Sequence, residues 1–380
     1  MRVHVKINER QTMKYFWNLF KNIDKVLVFL PLCFAAISIM MISSTASQGH
    51  FVFDKYVKIQ LVAYFLGFIA IGFILLIDYK IFENWERPLY IASVLLLLTV
   101  YIPGLGVEQY GSRAWINLGV MNFQPSEIVK ITFVILLSLY FSRNYDTLRT
   151  YKGVIWSALY ASPFILIVLK EDLGSAIVLC FIWLAMIFYA GIDYRILGKF
   201  ACVFALALPV VYRFMASHQK ERIDAFLHPN NLFLGGNYQV WQSKVAIGSG
   251  GFLGKGLFQG TQKELKFLPV QKSDFIFSVI VEELGMIGGA VLIVLYTTFL
   301  YRIAKIAYNA KESYGSLIAV GFIGMFGFQI FENIAMTMGL MPVTGITLPF
   351  ISYGGSSVLS NMIALGLILN VGIRSKIINF

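Results

Sequence analysis

Long apolar runs separated by short polar gaps dominate the chain. The runs fall at 26–44, 57–77, 89–102, 125–141, 154–169, 174–190, 198–215, 274–300, 315–335 and 356–372. Lipid leaves backbone polar groups no partner outside the segment itself, so each run is predicted to be a helix. The third, fifth and sixth runs are shorter than the roughly 20 residues a span needs and must recruit flanking residues. Lys and Arg alternate between the gaps. Arg2, Lys6, Arg10, Lys14, Lys21 and Lys25 precede the first run. Lys80 and Arg87, then Arg143, Arg149 and Lys152, then Arg195 and Lys199 mark every second gap, as do Arg302, Lys305 and Lys311, and finally Arg374 and Lys376. The opposite short gaps hold little beyond Lys55, Arg113 and Lys170. The positive-inside bias then predicts ten spans with both termini, including residues 1–25, in the cytoplasm. Eight spans, with 89–102 or 174–190 re-entrant, is the next reading.

Composition agrees. Of 380 residues 58% are hydrophobic and 13% charged, about half the charged share of a soluble protein. The net charge of +11 could point to nucleic acid, but the cations sit in the gaps rather than in one patch, so no nucleic-acid partner is expected. Cys33, Cys180 and Cys202 lie inside apolar runs and imply packing, not a disulfide framework. The first run lacks a small-residue cleavage site and reads as a retained span. The picture is one all-α, polytopic membrane domain. Two outer segments break it: 103–124, and a long polar loop at 216–273 of a length more often functional than idle. No internal repeat stands out, so the inverted-repeat signature of many transporters is missing.

The candidate chemistry gathers on the predicted outer side. Asp274 sits where the long loop enters a span. Ser273 or Asp274 could cap that helix; Asp274 also reads as a carboxylate base at the water–lipid boundary, strengthened by partial desolvation, and both roles can hold at once. Glu282 and Glu283 lie about two turns further in, where carboxylates are functional or paired. Glu127 and Lys130, three residues apart, share a helix face, either as a neutralising ion pair or as the wall of a polar cavity. Arg113, Arg222, Lys244 and Lys255 are either headgroup contacts or ligands of a diphosphate. The glycine-rich 248–256 run lacks P-loop spacing, which argues against a nucleotide site. Lys170, Glu171 and Asp172 read as a hairpin tip. His218 and His228 have few companions for a metal. Residues 341–357 are apolar yet rich in helix breakers; such backbone must be buried in protein or line a cavity, and it reads as a groove wall.

The ordered motifs resemble the SEDS proteins (shape, elongation, division and sporulation), most closely the RodA-like elongation branch, over nearly the whole chain. They are Gly111-Ser112-Arg113 with Trp115-Ile116, Gln124-Pro125-Ser126-Glu127 with Lys130, and Glu171-Asp172-Leu173-Gly174-Ser175. Arg222, Asn237-Tyr238-Gln239 and the stretch from Gln242 to Gly251 follow. Leu268-Pro269, Ser273 to Phe277, Glu282 to Gly285, and Pro342 to Ser357 complete the series. The family often carries His-Thr before the aspartate where this chain has Lys272-Ser273. Serine keeps the hydroxyl; lysine keeps a cation but removes a proton-shuttling ring.

The resemblance implies a peptidoglycan glycosyltransferase in the bacterial cytoplasmic membrane, polymerising lipid II on the outer face for cell elongation and rod shape. It implies Asp274 as base, Arg113 and Arg222 at the diphosphate with Lys244 as a further basic candidate, and Glu127 with Lys130 in an intramembrane cavity for the lipid-linked substrate. The expected partners are lipid II, a class B penicillin-binding transpeptidase, other elongation-complex proteins and membrane lipid. No cofactor is implied with certainty; a divalent cation stays open, with no ligand cluster standing out. A lipid II flippase or transporter, or a non-catalytic cell-wall scaffold, are the competing readings.

Overall fold

The computed structural model describes residues 21–377 except 47–48, 110–111, 118, 120–121, 232–233 and 265–269. Arg2, Lys6, Arg10, Lys14, Gly111, Leu268 and Pro269, on which parts of the sequence reading fell, lie outside the described residues. Each of the ten apolar runs coincides with a helix. These are α1 (Lys25–Ala46), α2 (Lys55–Leu76), α3 (Glu86–Leu98), α4 (Pro125–Arg143), α5 (Tyr151–Glu171), α6 (Leu173–Tyr189) and α7 (Tyr194–Phe214). Between α7 and the last three lie α8 (Ser217–Leu227), α9 (Gly235–Gly250) and the short α10 (Thr261–Glu264). Then come α11 (Ile276–Asn309), α12 (Ser313–Thr337) and α13 (Gly355–Ile377). Among the described residues seven helices are long and apolar enough to cross a membrane: α1, α2, α4, α5, α11, α12 and α13. The α6 helix is apolar but only 17 residues long, and α3 has 13. This is an all-α polytopic membrane protein.

Three helices form the interior. Over their most apolar stretches α4 and α12 are 78% buried and α13 is 89% buried, against 33% for α2 and α5. The outer helices therefore present apolar side chains such as Phe65, Phe73, Leu159 and Leu166 outward, as lipid solvation requires. Phe34, Tyr296, Phe299, Phe326 and Phe350 interlock at the centre, with ring centroids 4.7–6.1 Å apart.

Both outer segments carry more structure than a loop reading allows. Residues 106–123 hold an antiparallel three-stranded sheet, β1 (Gly106–Gln109), β2 (Ser112–Asn117) and β3 (Asn122–Phe123), in that order. The long loop contains α8, α9 and α10 and is docked on the bundle. Gln219 donates to the Leu169 carbonyl at 2.9 Å, and Ser243 donates to the Thr337 carbonyl at 2.7 Å. Glu282 and Glu283 hold the same loop. Lys255 pairs with Glu282 at 2.8 Å, the Gln262 amide donates to Glu282 at 3.0 Å, and the Phe258 amide donates to Glu283 at 3.0 Å. Of the two readings of these carboxylates, the paired one is realised. Lys255, a diphosphate candidate by sequence, is engaged in that pairing. The Met286 amide donates to the Gly251 carbonyl at 2.9 Å, where α11 breaks at Gly285 with φ +69 and ψ −172. A Cβ there would come within 2.3 Å of the Phe252 carbonyl oxygen, so both the conformation and the close approach require glycine.

Candidate active site

The breaker-rich segment 341–354 enters the bundle, as its composition predicts. Helix side chains satisfy its carbonyls one by one. Asn333 donates to Ile346 at 2.8 Å, Tyr296 to Pro349 at 2.6 Å, Tyr64 to Phe350, Ser38 to Ile351 at 2.7 Å and Gln60 to Ser352 at 3.1 Å. Phe350 holds φ +65 within this turn. Irregular backbone survives at membrane depth only when partnered in this way.

That segment walls a cleft of about 350 Å³. Its lining joins elements far apart in sequence: Ser112 and Trp115 of β2, Glu127 and Lys130 of α4, Asp172, Arg222 of α8, Lys272 and Asp274 before α11, and Thr344 to Thr347. The predicted outer connections thus converge over a polar interior.

Asp274 lies in a turn two residues before α11, which begins at Ile276. The capping alternative is not realised: the N-cap is Phe275, without a side-chain hydrogen bond. The Ser278 amide instead uses the Phe275 carbonyl at 3.1 Å. Asn333 holds the Asp274 backbone, donating to its carbonyl at 3.0 Å. The carboxyl is half-buried in the cleft wall. Desolvation pushes its pKa from the usual 3.8 up to about 6, against the opposing pull of the Ser273 hydrogen bond and the Arg222 charge; Asp172 adds a small push upward. Such a carboxylate is a stronger base than a solvated one and remains ionised at neutral pH.

Arg222 faces the same point from α8. It donates to the Thr344 carbonyl at 2.7 Å, which fixes the guanidinium beside Gly345. A Cβ on Gly345, whose φ is +80, would stand 3.6 Å from Arg222 Nη1 and 3.7 Å from Asp274 Oδ2. Glycine keeps the space between cation and carboxylate open. Deeper in the cleft, Lys130 donates to Glu127 at 2.8 Å with both side chains buried. The second Glu127 oxygen has no partner among the described residues. Ion pair and cavity wall, the two sequence alternatives, are both realised here.

The other basic candidates stand apart. Arg113 is exposed on β2 and outside the cleft lining, although Trp115 on the same strand face lines it; its amide donates to Glu171 at 2.9 Å. Lys244 is exposed on α9 and lines a smaller neighbouring pocket with Arg222, Asn237 and Trp241. Asp172, read from sequence as part of a hairpin tip, is a cleft carboxylate. It caps α6, accepting from the Ser175 amide at 3.1 Å, and also accepts from Gln124 at 2.9 Å. His218 also lines the cleft, with its Nε2 buried and unpartnered among the described residues. Sequence offered one signal for Asp172, its place in a motif stretch; His218 had none. Among the described residues no group of three or more His, Cys, Asp or Glu could hold a metal.

Comparison with known proteins follows this architecture. The profile of the FtsW/RodA/SpoVE family, described as cell cycle protein, matches residues 20–377. Stage V sporulation protein E of Bacillus subtilis is 36% identical over 370 residues, covering 93% of this chain and 98% of that protein. Peptidoglycan glycosyltransferase MrdB of Escherichia coli is 31% identical over 374 residues, covering 98% and 99%. A probable peptidoglycan glycosyltransferase FtsW of Geobacter is 35% identical, covering 93% and 97%. These identities do not separate the branches. Among solved structures, a chain described under structural coordination of polymerization and crosslinking by a peptidoglycan synthase complex has a TM-score of 0.78 at 30% identity, covering 93% and 99%. Thermus thermophilus RodA, a rod shape determining protein, has 0.68 at 29%, covering 93% and 98%. The chain belongs to the SEDS family, the FtsW/RodA/SpoVE proteins.

Proposed function

We propose that this protein is a peptidoglycan glycosyltransferase that polymerises lipid II, with Asp274 as general base. The observation that carries the reading is one carboxylate, raised towards neutrality by desolvation, in a cleft wall beside a guanidinium held by a backbone carbonyl. The names of the MrdB and FtsW relatives support it.

In the reaction, the 4-hydroxyl of the GlcNAc on one lipid II attacks C1 of the MurNAc on a second. A C–O glycosidic bond forms, the C1–O bond to phosphate breaks, and undecaprenyl diphosphate leaves with the electron pair. The hydroxyl proton passes to Asp274 and then to water. Arg222 opposes the charge developing on the diphosphate, as preorganised cations do in other transferases. The buried Glu127–Lys130 pair gives the deeper cleft a polar but neutral wall, suited to the lipid-linked substrate. Arg113 and Lys244, outside the main cleft, are assigned to guiding anionic headgroups at its approaches.

The sign of the Lys and Arg asymmetry supports a cytoplasmic-membrane location with the cleft on the extracytoplasmic face. The elongation role rests on the RodA-like resemblance of the ordered motifs. The partner is a class B penicillin-binding transpeptidase; the peptidoglycan synthase complex that this chain resembles in fold supports that pairing. Purified protein given lipid II, with and without such a partner, is expected to yield glycan chains resolved on a gel. Absence of chains under both conditions, with lipid II translocated across liposomes instead, would replace the polymerase by a transporter.

A further inference from the structure

Among the described residues three cations line the cleft: Lys130, Arg222 and Lys272. Lys130 is neutralised by Glu127 at 2.8 Å. Arg222 and Lys272 have no carboxylate within ion-pair distance among the described residues. Lys272 is seated on aromatic faces instead. Its Nζ lies 3.1 Å from the Tyr56 ring centroid and 5.8 Å from that of Tyr353. The two rings meet edge to face at 5.0 Å.

The seat is rigid. The Tyr353 amide donates to the Lys272 carbonyl at 2.9 Å, and Ser352 donates to the next carbonyl, Ser273, at 2.5 Å. Val270, with φ +54, turns the chain into this position, and the Ser273 amide closes the turn on the Val270 carbonyl at 3.2 Å. Aromatic rings attract an ammonium without neutralising it. Lys272 therefore lines the cleft without a carboxylate partner among the described residues, and Arg222 approaches Asp274 from another element. Arg222 and Lys272, on different elements but lining the same cleft as Asp274, fit an anion with several oxygens spread over two centres.

We propose that Lys272 is a diphosphate ligand that holds the departing lipid diphosphate together with Arg222. This rests on the glycosyltransferase reading. As the C1–O bond breaks, its electron pair stays on the bridging oxygen, and the ammonium opposes that charge. A charged lysine has no lone pair to accept a proton, so Lys272 acts through charge. Lys55 and Lys58, exposed near Tyr56 and Phe53, lie outside the cleft lining.

The test is binding of undecaprenyl diphosphate to purified full-length protein in detergent, by native mass spectrometry, with phosphatidylglycerol as the control lipid. Lys272→Gln and Lys272→Met are expected to weaken undecaprenyl diphosphate by roughly tenfold, the scale of one charge-assisted contact. Lys272→Arg is expected to stay within about threefold, and phosphatidylglycerol to be unaffected. Two neutral variants are used so that misfolding of one, seen as a lost melting transition, leaves the other; Lys272→Arg tests the charge independently. Diphosphate affinity unchanged in a folded neutral variant, an equal loss for phosphatidylglycerol, or a tenfold loss in Lys272→Arg would each overturn the assignment. Failure of the wild type to polymerise lipid II would remove the catalytic reading without altering these affinities, so the two failures are separable.

Discussion

Asp274→Asn is expected to destroy activity while making the protein more stable. The fold raises the Asp274 pKa from 3.8 to about 6. That displacement corresponds to roughly 3 kcal/mol disfavouring the ionised form in the folded state. Because the folded pKa is the higher one, the favourable contribution belongs to the protonated carboxyl. It is fully present below pH 4 and is lost as pH rises through 6. The neutral amide escapes that loss. In detergent melts at pH 8, Asp274→Asn should unfold at a higher temperature than wild type, and the gap should shrink steadily towards pH 4. Polymerisation should fall by roughly 10²- to 10⁴-fold, the usual contribution of a general base. Wild-type activity should rise with pH along an acid limb centred near 6. An Asp274→Asn protein that is inactive and also less stable at pH 8 would show that the carboxylate holds the fold, and the reasoning would fail.

Arg222→Gln removes a charge that lowers the Asp274 pKa, so the acid limb of any residual activity should move above pH 6; an unmoved limb would disconnect the two groups. Lys130→Met strands the buried Glu127 charge and should cost about 3–5 kcal/mol, with Glu127→Gln/Lys130→Met recovering most of it in melts. Gly285→Ala forces a Cβ into the Phe252 carbonyl at a positive φ and should lower the melting temperature and the yield of monodisperse protein. Gln60→Leu leaves the Ser352 carbonyl without that partner and should cost about 1–3 kcal/mol, read as a lower melting temperature.

Much of the bundle was legible because lipid imposes a single rule, a long apolar run with internally satisfied backbone. That rule located ten helices to within a few residues, apart from the longer inner end of α11. The re-entrant 341–354 segment was legible for the converse reason: breakers in an apolar stretch require partners. Glu127 and Lys130 were legible because three-residue spacing sets them on one helix face. The sheet at 106–123 was not, since strands of two to six residues leave too short an alternation to read. Asp172 read as a hairpin tip and Lys272 only as a departure from the family's motif, because what seats each at the cleft comes from distant segments: Gln124 for one, Tyr56 and Tyr353 for the other. Asp274 was found at the right boundary; the Phe275 N-cap removes the capping reading, and the base reading is the one we propose.

The central claim is tested most directly in proteoliposomes of known orientation, with lipid II supplied only to the face carrying the cleft. Wild type should assemble glycan chains from that pool, and Asp274→Ala, inserted and folded equally well, should assemble none. Chains of normal length from Asp274→Ala, or polymerisation only when lipid II is confined to the opposite leaflet, would contradict the account.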